Sequence, residues 1–489
     1  MSTTVLRNAR KIDDDSEPVD IVIERGILVD DVAPGAEYQV IELEGRFVGP
    51  GLWDAHVHME QWAQLRQRVD LAGSHSPAEV ADRLRARAAE DEFGSEVIVG
   101  YGFRDALWAE PMRRRLLDDA GAGRPVVAVS GDLHCVWLNA SAARALGVET
   151  DDTGVLRESA AIDVVTKLDS VADEQMDAWV AEATRAAAER GVVGVVDFEW
   201  ADNIAAWTRR AGGGPLNLRV VCGVYPEYLD AAIARGLHSG TPLAGSEGLA
   251  VVGPLKIITD GSLNTRTALC HDPYPDSEPG DHAHGRVNVD PAALDALLRR
   301  AAASGFVPAV HAIGDRANQA VLDAFEAVGI EGSIEHAQLV SADDFRRFGE
   351  LGLTASVQPE HALDDRDVAD RLWRGRTSRA FAWRSLLSGG ARLSLGSDAP
   401  VAPLDPWVSM AAAVHRTRDD RTPWHPEQSL TVREAYAAST REGRVSLRPG
   451  DSADLAIFDE SPLRLEGAAL RAARVAGTML AGRWTYRGF

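Results

Sequence analysis

Cysteine is scarce in this chain: Cys135, Cys222 and Cys270 are the three among 489 residues. They lie far apart and match no zinc-finger spacing, which argues against a disulfide framework and against a thiolate metal site. Three free thiols in a reducing compartment are expected. Lysine is equally rare, with Lys11, Lys167 and Lys256 set against 48 arginines. No run of 18 or more apolar residues occurs, so no membrane-spanning helix is expected. The opening MSTTVLRNARKIDDD has no apolar core of the secretory-signal kind, and the cytoplasm is the expected location. Positive charge is in the minority. The formal net charge of −23 argues against nucleic acid and anionic membranes as partners. No glycine-rich loop of the phosphate-binding form joins a strand to a helix. A small molecule is the expected partner, and a homodimer the expected assembly.

What is present is a chain long enough for one large domain and an accessory one, with 45% apolar residues to build the core. Both ends are strand-rich. VDIVIERGILVDD and EYQVIELEGRFVGP near the start are matched by DSADLAIFD and RVAGTMLAGRWTYRGF near the finish. This predicts one small β-sandwich domain built from residues 1–49 and 441–489. Between them, residues 50–440 alternate short apolar runs with helical stretches such as Met176–Arg190 and Pro291–Ser304, the pattern of parallel βα units. Eight runs read as barrel strands: Leu52–Val57, Gly194–Phe198, Leu218–Val224, Leu255–Thr259, Val307–His311, Ser333–His336, Thr354–Val357 and Arg392–Leu395. The expected fold is therefore α/β, a (β/α)8 barrel. The gap between the first two runs exceeds one helix, so an α/β insertion after the first strand, over about 60–190, is expected. It would carry strands at EVIVGYGF and RPVVAVSG and helices near 77–90 and 140–146. Such an insertion belongs over the active-site face of a barrel.

The sharpest local signal is Gly51-Leu-Trp-Asp-Ala-His56-Val-His58. Residues i and i+2 of a strand share a face, so both imidazoles can reach one ion. His311 in PAVHAIGDRAN, His336 in IEHAQLV and Asp398 in LGSDAPV likewise close apolar runs. Any one of these alone reads equally well as a capping or core polar residue. Four strand ends in register favour a shared site, because the strand C-termini of a barrel converge. Lys256, in GPLKIITDGS, sits within an apolar run. Burial favours its neutral amine, which reacts with carbon dioxide to give an anionic carbamate. A snorkelling surface lysine is the plainer alternative.

These residues, in this order, resemble the ligand set of the amidohydrolase superfamily. The segments GYGFRDALW, RPVVAVSGDLHCVWLNASA, LKIITDGSLNTRTA, SVQPEHALDD and SADLAIFD are more closely similar to amidohydrolase family 3, the YtcJ-like branch that includes N-substituted formamide deformylases. The chain departs from the family at Gly-Asp-Leu-His134 and at STREGRVSL. The resemblance implies a metal-dependent hydrolase of C–N bonds other than peptide bonds. It implies that His56 and His58 bind one metal, carbamylated Lys256 bridges, and His311 and His336 bind a second. Asp398 is implied as ligand and as general base and acid for a metal-activated hydroxide. One or two divalent ions are expected, with zinc as the default for such donors. Phe103, Trp108, Asp132, His134, Asp260, Arg266, Gln358 and His361 are candidate substrate contacts. The alternatives are a deaminase of the same superfamily, against which the His311-Ala-Ile-Gly-Asp315 segment speaks, and a non-catalytic barrel scaffold, which predicts lost ligands.

Overall fold

The computed structural model describes all residues except 1–2, 15–16, 33–36, 91–96, 106–107, 132–133, 276, 278–279 and 281–282. Two compact units emerge: Met1–Trp62 with Ala181–Phe489, and Ala63–Val180.

The first unit contains a barrel of eight parallel strands, in chain order β1 (Leu52–Val57), β2 (Val192–Asp197), β3 (Arg219–Val224), β4 (Ala250–Ile258), β5 (Pro308–Ala312), β6 (Ser333–His336), β7 (Thr354–Val357) and β8 (Arg392–Leu395). Each pairs with the next, and a parallel bridge between Val57 and Ala399 closes the ring from β8 to β1. The closure is tight. Asp398 N–H donates to His56 O at 2.7 Å, and His58 N–H donates to Ala399 O at 2.8 Å. Gly396 permits this approach, since a Cβ there would lie 2.7 Å from His56 N. Asp54, 2% exposed, accepts from both His56 N and Ser397 N and so ties the two strands again.

Four strands match the sequence reading to the residue. The largest difference is β4, which starts at Ala250 and not at Leu255. Gly253-Pro254 looks like a break because proline cannot donate to a ladder. Here the register against β3 shifts between Cys222–Val252 and Val224–Leu255, and this bulge absorbs the dipeptide within one continuous strand.

The chain's two ends pair with each other in the same unit. Phe47–Pro50 runs antiparallel to Leu455–Phe458, with Val48 opposite Ile457. The strand Thr3–Lys11 pairs through its first half with Val19–Glu24 and Tyr38–Glu42, and through its second half with Phe47–Pro50. It changes layers at a register shift between Leu6 and Ala9, where Asn8 takes φ 55°. Such a corner joins the two layers of a sandwich. Leu6, Ile23, Leu43, Val48, Leu455, Ile457 and Met479 fill the core between them.

The second unit is a five-stranded sheet, in spatial order Val155–Arg157, Cys135–Leu138, Val126–Ser130, Ile98–Phe103 and Val69–Asp70. Helices Pro77–Glu90 and Ala140–Leu146 fall where the sequence predicts them. Strand alternation sends Val126, Ala128 and Trp137 to one core and Val127, Val129 and Leu138 to another. Among the described residues no helix is long and apolar enough to cross a membrane, and all three cysteines are free and buried.

Candidate metal centre

His56 and His58 leave the C-terminal end of β1, Lys256 lies on β4, His311 on β5, and His336 ends β6. Asp398 follows β8. All six line one cavity of about 500 Å³. The Asp398 carboxylate is the hub. Oδ1 lies 3.2 Å from His58 Nε2 and 3.6 Å from His56 Nε2, and Oδ2 lies 3.8 Å from His361 Nε2. The His56 and His336 rings are 5.0 Å apart, and those of His311 and His336 are 4.5 Å apart. Ligand atoms of His56, His336 and Asp398 all lie within 4.8 Å of one another, the spacing of a metal-binding group.

The electrostatics suit a cation. Burial pushes the His56 imidazole down to about 4 and His336 well below the usual histidine range, so both are neutral and ligand-ready. Burial alone would raise the Asp398 carboxyl, but His56, His58 and His336 beside it hold it well below the usual range. Buried Nδ1 atoms of His58 and His336 have no hydrogen-bond partner. Converging imidazoles, an ionised carboxylate and unpartnered buried nitrogens fit a divalent metal.

Lys256, 2% exposed, is held below its ordinary range, at about 8, by burial. Its Nζ lies 3.3 Å from His56 Nε2 and 4.3 Å from the centre of the Phe198 ring. Neither neighbour is a carboxylate or a carbonyl.

Glu335 is the residue that the sequence reading misses. Fully enclosed, its Oε2 lies 2.7 Å from His56 Nδ1, while Oε1 accepts from Ser333 Oγ at 2.6 Å. A carboxylate behind a ligating histidine fixes the ring and presents the other nitrogen to the metal. The signal was hidden because residues 335 and 336 should face opposite sides of a strand. His336 and Ala337 adopt φ 75° and 42°, and this left-handed turn lets neighbouring side chains serve one site.

The candidate substrate contacts divide. Asp260 and His361 line the cavity. Asp260 is fully buried, and its carboxylate accepts from Leu269 N, Ile313 N and Gly314 N with His311 Nε2 at 3.3 Å. It orders loops and orients His311, and is spent as a substrate contact. Gln358 is buried beside the strand end, donating to Ser356 O, and Arg266 is exposed on the loop after β4; neither lines the cavity. In the second unit, Phe103 is a core residue with Trp108 stacked on it at 5.4 Å, which marks both as packing residues. His134 is exposed, with Nδ1 3.0 Å from a Glu158 oxygen. Asp132 lies outside the described residues.

The amidohydrolase family model matches residues 39–486. The chain belongs to the amidohydrolase family. It is 30% identical over 467 residues to the protein LONG AFTER FAR-RED 3 of Arabidopsis thaliana, covering 86% of this chain and 79% of that one. It is 25% identical to the N-substituted formamide deformylase of Arthrobacter pascens, covering 93% and 90%. Among solved structures, an uncharacterised metal-dependent hydrolase from Pyrococcus horikoshii superposes with a TM-score of 0.76 at 25% identity, covering 95% of this chain and 99% of the other. This amidohydrolase is thus a metal-dependent hydrolase with a barrel and a β-sandwich domain, and its family supports a divalent metal at the cluster described above.

Proposed function

We propose that this amidohydrolase cleaves the C–N bond of an amide, formamide or related non-peptide group in a small molecule. The observation that carries the reading is the Asp398 carboxylate, ionised and 3.2–3.8 Å from three imidazoles at the floor of an open cavity.

His56, His58, His311, His336, Asp398 and carboxylated Lys256 are the residues proposed to hold two ions, zinc by default for these donors. Divalent ions there would supply Lewis acidity, making water nucleophilic near neutral pH and polarising a bound carbonyl. Carboxylation joins the neutral Lys256 amine to carbon dioxide through a new N–C bond, and one proton leaves to solvent. The lowered amine pKa and the single long contact of Nζ, 3.3 Å to His56 Nε2, support that step. Glu335 fixes the His56 tautomer. Asp398 takes a proton from the attacking water and returns it to the departing nitrogen, which is a poor leaving group until protonated. Water and amide are consumed, and carboxylic acid and amine are formed.

Elemental analysis of protein purified without added chelator is the first test. Two equivalents of metal per chain are expected, with turnover of members of an amide and formamide panel. Asp398→Asn should lower kcat at least about 100-fold with an unchanged circular dichroism spectrum. Unchanged turnover in that variant, or a metal-free wild type that stays inactive after metal is returned, overturns the reading.

A further inference from the structure

Away from the metal-type cluster, the cavity wall changes character. Gln338, Asn264, Asp364 and Asp365 line it, and Trp200 and Val401 stand at its lip, 70% and 64% exposed. Asp364 is neutralised by Arg418, with Nη1 at 2.6 Å. Asp365, on the same turn, has no arginine or lysine against it among the described residues; its Oδ1 accepts from Asn264 Nδ2 at 2.6 Å. Gln338 is 4% exposed. Its Nε2 faces His361 Nδ1 at 3.5 Å, which leaves Oε1 buried without a donor. Among the described residues, Lys256 is the one lysine or arginine that lines this cavity.

The wall thus offers two acceptors with spare capacity, the Asp365 carboxylate and Gln338 Oε1, beside one buried nitrogen without a hydrogen-bond partner, His361 Nε2. A carboxylate reaching this wall would meet the Asp365 charge and the Gln338 carbonyl, with no arginine or lysine of the described residues beside them. A buried acceptor left unsatisfied costs about 1–3 kcal/mol, so a ligand that donates to it gains most. An ammonium group would meet a carboxylate and a buried amide oxygen, each of which attracts a cation. The net charge of −23 acts in the same direction at long range.

We propose that the substrate carries an ammonium or similar N–H-rich cationic group beyond the scissile bond, and that Asp365 and Gln338 receive it. This inference rests on the hydrolytic reading of the same cavity, and binding separates the two. The probes are three formamides of equal length: N-formyl-1,4-diaminobutane, N-pentylformamide and N-formyl-5-aminopentanoate. Calorimetry on the metal-loaded wild type should show the cationic compound binding at least about tenfold tighter than the neutral one. That preference should shrink from 20 to 500 mM salt while binding of the neutral compound holds steady. In Asp365→Asn, which keeps an oxygen for Asn264, the cation-to-neutral ratio should fall toward one. No preference, a reversed order, no binding of the cationic compound, or a ratio unmoved by both salt and substitution overturns the inference. A retained preference without any turnover would sustain the cationic class and overturn the formamide chemistry.

Discussion

Two buried cations in this molecule look alike and have opposite fates. Lys256 is 2% exposed and Arg416 is fully buried; each lies over an aromatic ring, at 4.3 Å from Phe198 and 4.2 Å from Trp383. Burial drives both down, Lys256 to about 8 and Arg416 to about 9. The difference lies in their acceptors. Arg416 donates through Nε to Trp424 O at 2.8 Å and through Nη1 to Phe381 O at 2.9 Å, holding two loops together. Lys256 finds an imidazole nitrogen at 3.3 Å. A cation surrounded by carbonyls is a fastener. One surrounded by other ligand groups is available for chemistry.

Substitution can break that comparison. The largest effect is expected from Lys256→Met, which should lower kcat at least about 1,000-fold through loss of the metal centre. In chelator-treated protein its urea midpoint should hold or rise, because replacing a poorly satisfied buried charge by an apolar chain is neutral or stabilising. A clear fall in the midpoint would make Lys256 a fastener too. Arg416→Met should do the reverse, costing about 3 kcal/mol of stability because two buried carbonyls lose their donor, while activity per folded molecule is retained. Loss of activity at full stability would sink that assignment.

The smallest effect belongs to a third cation, half in solvent. Arg384 binds Glu434 through Nη1–Oε1 at 2.8 Å and Nη2–Oε2 at 2.6 Å, and its hydrogen bonds hold the Glu434 carboxyl down at about 2. A depressed carboxyl stabilises the fold fully above its unfolded value of about 4.5 and loses that contribution as pH falls toward 2. Glu434→Gln should therefore lower stability at pH 7 to 8, by less than about 1 kcal/mol for so exposed a pair, and flatten the acid limb so that variant and wild type converge near pH 2. An identical acid limb in the variant would show the pair to be worth nothing in solution.

Much of this could be read from the sequence, for identifiable reasons. Barrel strands are short and largely apolar on both faces, so Val192–Asp197 and Arg219–Val224 stand out between helices to within two residues. His56 and His58 obey the two-residue period of a strand. Glu335 does not, and no sequence period foretells the positive φ of His336 that brings it into play. Asp260 showed as a polar residue after a strand, but only coordinates reveal that three backbone amides consume its carboxylate. The acceptor-rich wall stayed hidden because Asp364 and Asp365 are adjacent in sequence and differ only in whether an arginine some fifty residues later reaches them.

The pairing of Val48 with Ile457 has a consequence for the ribosome. The strand that needs Leu455–Phe458 emerges roughly 400 residues before it, which at about 5–20 residues per second is some 20–80 s. Throughout that interval the leading edge of the nascent chain presents unpaired hydrogen-bonding groups and apolar side chains. This amidohydrolase is thus exposed to aggregation while it is being made, and a premature stop shortly before Leu455 would strand an otherwise finished barrel in that state.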